Sequence, residues 1–102
     1  MRTTISVRHT EISDELRTRA ETILDRLDGL SPHTLEATVV FDGGPLIQTA
    51  EIRLHVRGGK ILIGTGEGSD HRTALDRAEA KIRPQLDRAS DSKRARRSSP
   101  RP

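Results

Sequence analysis

The sequence predicts an α+β domain of element order β-α-β-β-β-α: a four-stranded, mainly antiparallel sheet with two helices packed on one face. Two segments, around residues 14–28 and 71–89, repeat apolar residues at helical spacing. Four shorter segments alternate apolar and polar residues or cluster β-branched ones, and turn residues separate them all. The 102 residues suit one domain. Ile, Leu, Val and Phe make up 23 of them, just above the roughly 20% below which a chain fails to build a core. The predicted core is therefore thin and aliphatic.

Residues 3–8 (Thr3, Thr4, Ile5, Ser6, Val7, Arg8) alternate and are β-branched, which predicts a strand with Ile5 and Val7 inward. Ser13 is placed to cap the first helix, and Asp14 and Glu15 suit the positive end of its dipole. Leu16, Ala20, Ile23, Leu24 and Leu27 form one stripe about 100° wide, and Gly29 followed by Pro32 ends the helix. Residues 36–41 predict a second strand, closed by the turn Asp42, Gly43, Gly44, Pro45. In the third strand, residues 50–56, Ala50, Ile52, Leu54 and Val56 share one side, and Glu51, Arg53, His55 and Arg57 the other. Arg57, Gly58, Gly59 and Lys60 predict a two-residue hairpin turn, because paired glycines supply positive φ. The return strand covers 60–65, and Gly64, Thr65, Gly66, Glu67 and Gly68 read as a loop leading to Ser69 or Asp70 as cap of the final helix. That helix carries Ala74, Leu75, Ala78, Ile82, Leu86 and Ala89; Pro84 inside it removes a hydrogen bond and predicts a kink or break near residues 81–83.

Composition excludes several classes of function. There is no cysteine, hence no disulfide framework or Cys-based zinc site, which points to the cytoplasm. No apolar run is long enough to span a membrane or serve as a secretion signal, so no membrane partner is expected. Phe41 is the sole aromatic residue, which removes the stacking platforms of many single-strand binders. Gly64, Gly66 and Gly68 precede a helix, yet their spacing is not a dinucleotide fingerprint; the simplest reading is relief of a strand-to-helix turn. His9, His33, His55 and His71 show no metal-ligand spacing, and His55 reads as a surface residue. No nucleophile has a base beside it. An enzyme, a cofactor, a metal and a small-molecule substrate are therefore not expected.

The charge is informative by position. Net charge is +3, but Lys93, Arg94, Arg96, Arg97 and Arg101 stand against Asp91 alone in residues 90–102, a surplus of four that leaves the body at one net negative charge. The sequence thus divides into a domain over 1–89 and a flexible basic tail over 90–102, too poor in apolar residues to offset the entropy of ordering. Such an arm favours a polyanion. On the final helix Arg77, Lys81 and Arg88 fall within about 40° of one another and border the apolar stripe. Arg72 and Arg83 lie among Asp76, Glu79 and Asp87, where they are expected to be neutralised. On the first helix Arg19 and Arg26 also border the stripe, whereas Arg17 lies nearer Glu21 and Asp28. The two borders are expected to join into one basic groove between the helices.

Several residues in order resemble the ribosome hibernation-promoting factor and ribosome-associated inhibitor A family, the sigma-54 modulation proteins. They are Glu11, Ile12, Ser13, Leu16 and Arg17, then Leu54, His55, Val56, Gly58 and Gly59, then Asp70, Ala74, Leu75, Asp76, Lys81, Ile82, Gln85 and Leu86. The likeness spans about residues 3–90 and is to the short form, without the extra C-terminal domain that pairs ribosomes. It implies a translation inhibitor that occupies the mRNA and tRNA region of the small ribosomal subunit under stress or in stationary phase, bound to ribosomal RNA. Arg17, Arg26, Lys81 and Arg88 coincide with basic positions of the family; Thr22, Ile23, Arg72 and Pro84 depart from its pattern. The RNA-binding set expected from residues and resemblance together is Arg17, Arg19, Arg26, Arg77, Lys81, Arg88, Lys93, Arg94, Arg96 and Arg97, in a monomer. Two other readings fit the residues: a module for double-stranded RNA in general, and a protein-interaction module using the sheet face of Glu51, Arg53, His55 and Arg57.

Overall fold

The computed structural model describes residues 1–30 and 34–98, with side chains as far as residue 88. The elements are β1 (Arg2–Arg8), α1 (Asp14–Leu30), β2 (Thr34–Gly43), β3 (Gln48–Val56), β4 (Ile61–Gly68) and α2 (His71–Ser98). The sheet order is β1-β2-β3-β4. β1 runs parallel to β2, with Ile5 beside Val39, and β2–β3 and β3–β4 are antiparallel. The predicted order, α+β class and mainly antiparallel sheet are all present.

Each helix begins where side-chain chemistry starts it. Ser13 Oγ accepts the Leu16 amide at 3.1 Å, and Asp70 Oδ1 accepts the Thr73 amide at 2.7 Å, so of the two candidate caps for α2 Asp70 serves. Pro32 and His33 lie outside the described residues; α1 ends at Leu30.

Both helices cover one face of the sheet. Ala20, Ile23, Leu24 and Leu27 of α1 and Ala74, Leu75, Ala78, Ile82 and Leu86 of α2 are fully buried. They meet Ala37, Val39 and Phe41 of β2, Ala50, Ile52 and Leu54 of β3, and Leu62 of β4. Each large aliphatic side chain buried this way contributes about 1.5–3 kcal/mol. Ile5, Ile12 and Leu16 pack against this core while only partly buried. Phe41 is core, and the His71 ring meets it edge-on at 5.8 Å.

Three local expectations are corrected. The glycines taken as a loop belong to β4, where Gly64 and Gly66 are buried; they exist for packing. A Cβ on Gly64 would stand 2.5 Å from the Ala78 carbonyl oxygen and 2.8 Å from Ile82 Cβ, so only glycine lets α2 lie this close to the strand. The β3–β4 turn holds three residues rather than two: the Val56 amide donates to the Lys60 carbonyl at 2.9 Å across Arg57, Gly58 and Gly59, both glycines at positive φ. No break occurs at Pro84, because α2 is one helix across it. Ile82 and Leu86 are held in the core on either side, and that packing outweighs the missing hydrogen bond. Beyond the core, α2 continues to Ser98, where Lys, Arg and Ala are good helix formers. Residues 99–102, Arg101 among them, lie outside the described residues.

Candidate nucleic-acid interface

Helix α2 determines where positive charge is displayed. Its apolar stripe faces the sheet, leaving two flanks. One overhangs β4, the edge of the sheet, and carries Arg77, Lys81 and Arg88, all exposed. The Arg77 Nη1 donates to the Glu67 carbonyl at 2.8 Å, and Thr65, Glu67, Arg77, Ala80 and Lys81 line one shallow groove. A neutral carbonyl orients the guanidinium without cancelling its charge. Beside it Gln85 binds the strand edge twice: its Nε2 donates to the Ile63 carbonyl at 2.7 Å, and its Oε1 accepts the Ile63 amide at 3.4 Å. No ion pair involves Arg77, Lys81, Arg83 or Arg88 among the described residues.

The other flank meets α1, and there the expected groove is not formed. Arg19 donates to Asp76 Oδ1 through Nη2 at 2.7 Å and through Nε at 3.1 Å. Arg26 Nη2 reaches Glu79 Oε2 at 3.4 Å. The seam between the helices is therefore a row of ion pairs, and Arg19 and Arg26 do not join Arg77, Lys81 and Arg88, which lie on the far side of α2. The assignment of Asp76 and Glu79 to Arg72 and Arg83 is corrected with it, since these carboxylates are taken by α1. A wheel drawn on one helix ranks residues by angle but does not say which flank its neighbour will occupy. Asp76 and Glu79 are the ion-pair partners that sequence reasoning missed; nothing in their own spacing signals the pairing.

Arg17 lies elsewhere, beside Thr3, Ile5, Glu21 and Asp25 where α1 overhangs β1. Lys93, Arg94, Arg96 and Arg97 sit on the backbone of α2 beyond the described side chains. The structure thus brings together Arg77, Lys81 and Arg88, sets Arg19 and Arg26 in the seam, and places Arg17 on a third face.

His71, His9, Asp42 and Asp70 have structural partners. His71 Nε2 lies 2.9 Å from the Asp42 carbonyl; a carbonyl only accepts, so that nitrogen carries the proton and ties the start of α2 to the end of β2. His9 Nδ1 meets Asp42 Oδ1 at 3.0 Å, and this hydrogen bond holds the Asp42 carboxyl below the usual carboxylate range. The Thr73 amide does the same for Asp70. His55 faces away from the helices on β3 and is half-buried. Among the described residues no group of His, Asp and Glu is arranged to hold a metal ion. No helix there is long and apolar enough to cross a membrane.

Comparison with known proteins follows this geometry. The profile of the family described as sigma 54 modulation protein / S30EA ribosomal protein matches residues 3–94. The fold is similar to that of a ribosomal subunit interface protein from Coxiella burnetii, with a TM-score of 0.81 at 19% identity over 89% of this chain and 99% of that one. It is also similar to the N-terminal domain of Thermus thermophilus Protein Y, with a TM-score of 0.76 at 30% identity over 86% of this chain and 98% of that one. No curated protein matches the sequence significantly.

Proposed function

Because the chain belongs to the sigma 54 modulation protein / S30EA ribosomal protein family, we propose that it is a non-enzymatic ribosome-binding protein of the cytoplasm. It sits on the small subunit where mRNA and tRNA would lie and inhibits translation by excluding them, in stress or stationary phase. The observation that carries this reading is the strip of Arg77, Lys81 and Arg88, which stands exposed on α2 with no carboxylate partner among the described residues. Phosphate contacts hold and orient a protein on RNA without reading bases, and an unpaired cationic row on a rigid helix suits them. In sequence the row leads on to Lys93, Arg94, Arg96 and Arg97, and the basic segment 90–102 adds to the same contact beyond the domain of residues 1–89. Arg17 extends it only for a ligand that also reaches the β1 side.

Cosedimentation with purified small subunits at low salt tests the proposal. The chain is expected in the subunit fraction, with affinity falling steeply as salt rises because each phosphate contact releases counterions. Lys81→Glu with Arg88→Glu should weaken binding by about tenfold or more, since two attractive contacts become repulsive. Absence of cosedimentation, or indifference to that double substitution, refutes it. Equal affinity for a free RNA duplex would move the assignment to duplex RNA in general.

A further inference from the structure

Building on the ribosome-binding reading, we infer that Asp76 and Glu79 are specificity-determining residues: they mask Arg19 and Arg26 by occupying the place of RNA phosphates. A guanidinium donates to carboxylate and phosphate oxygens alike. Asp76 Oδ1 already takes two donors of Arg19, at 2.7 and 3.1 Å, and Glu79 takes Arg26 at 3.4 Å. The Glu79 side chain is only 13% exposed against 54% for Arg26, so the acid is the fixed member of that pair and the arginine the mobile one. Arg19 and Asp76 are similarly exposed to solvent, at 36% and 43%.

A mask of this kind sets a threshold. Pairs whose arginine stands this open to solvent are weak, so a dense phosphate surface shaped to the domain draws both arginines off their carboxylates. A short or irregular RNA meets only the strip of Arg77, Lys81 and Arg88. Discrimination therefore comes from acids that touch no RNA: they subtract affinity from every polyanion, and only a ligand with many simultaneous contacts overcomes the loss.

The test is a cycle on the full chain. Asp76→Asn with Glu79→Gln removes the charges and keeps the shape. It is expected to bind small subunits about fivefold more tightly at 0.1 M salt, to steepen the salt slope by roughly 1–2, and to gain more on a free RNA duplex than on subunits. Arg19→Gln with Arg26→Gln should change duplex affinity less than about twofold in the unaltered chain, yet abolish the duplex gain in the unmasked background. Asp76→Asn alone, which leaves the more buried acid in place, should show a smaller gain of the same sign. Circular dichroism of each variant identifies which have kept the fold, and affinities are compared among those. Failure of the unaltered chain to sediment with subunits defeats the ribosome reading. Sedimentation with no gain on unmasking, or arginine substitutions that cost as much duplex affinity in the masked chain as in the unmasked one, defeats the mask alone.

Discussion

The contact between α2 and β4 makes Gly66→Ala the most demanding test of the fold. A methyl group on Gly66 would stand 2.5 Å from the Ala78 amide nitrogen and 2.8 Å from Arg77 Cβ, with the Ala74 carbonyl oxygen closer still. Two of the three obstacles are helix backbone, which has no rotamer to escape into. Ordinary van der Waals contact begins at 3.4 Å, so the helix must retreat by about 1 Å, and overpacking of this kind costs about 1–3 kcal/mol. Retreat also loosens the buried row of Ala74, Ala78 and Ile82, where each methylene-sized loss of burial adds about 0.8 kcal/mol. A total near 3 kcal/mol lowers the unfolding temperature by roughly 12–24 °C in a domain of this size. The control is the same chemical change at Gly29, where nothing lies within 4 Å and the backbone is helical. There alanine stabilises by about 0.5–1 kcal/mol through helix propensity and a less flexible unfolded chain. Thermal unfolding followed by circular dichroism, with urea titration for the free energies, reads both. A Gly66→Ala protein within about 0.5 kcal/mol of the unaltered chain refutes the packing argument, because overpacking at its lower limit already exceeds that.

Gln85 and Asp70 each hold a single junction of the fold, and each can be tested by one substitution. Gln85→Ala removes both bonds to Ile63 and leaves the β4 edge open; the Ile63 amide should exchange faster, stability should fall by about 1–2 kcal/mol, and sedimentation velocity should show concentration-dependent self-association of the exposed edge. Asp70 titrates below the usual carboxylate range because it accepts the Thr73 amide, so the unfolded chain binds its proton first. Its cap therefore contributes fully above the ordinary carboxylate pKa and is lost as pH falls through the lowered value; the stability difference between the unaltered chain and Asp70→Ala should shrink over that window in denaturant titrations.

Much of the fold was legible because the signals are local. The stripe of α1, the alternation of β3 and the Ser13 cap each lie within one element, and period and capping chemistry suffice to read them. The errors lie where two elements meet. Gly64 and Gly66 read as a loop because glycine weakens a strand taken alone; their reason is the α2 backbone lying on them, a contact between elements that no window of sequence contains. Pro84 reads as a kink or break because it removes a hydrogen bond within an isolated helix; no break forms, since Ile82 and Leu86 hold the helix to the sheet on both sides.

The candidate site divides along the same line, and the division bears on function. Angles on α2 group Arg77, Lys81 and Arg88, since grouping is a property of one helix. They could not assign Asp76 and Glu79, since pairing is a property of two. The consequence is electrostatic. A body with one net negative charge can present a positive face only if its acids are spent elsewhere, and here two of them are spent in the seam on Arg19 and Arg26. Moving α1 to the β4 side of α2 at constant composition would leave those acids facing solvent and the cationic strip covered. It is the arrangement of the helices over the sheet, more than the net charge, that turns this composition into a surface able to meet phosphates.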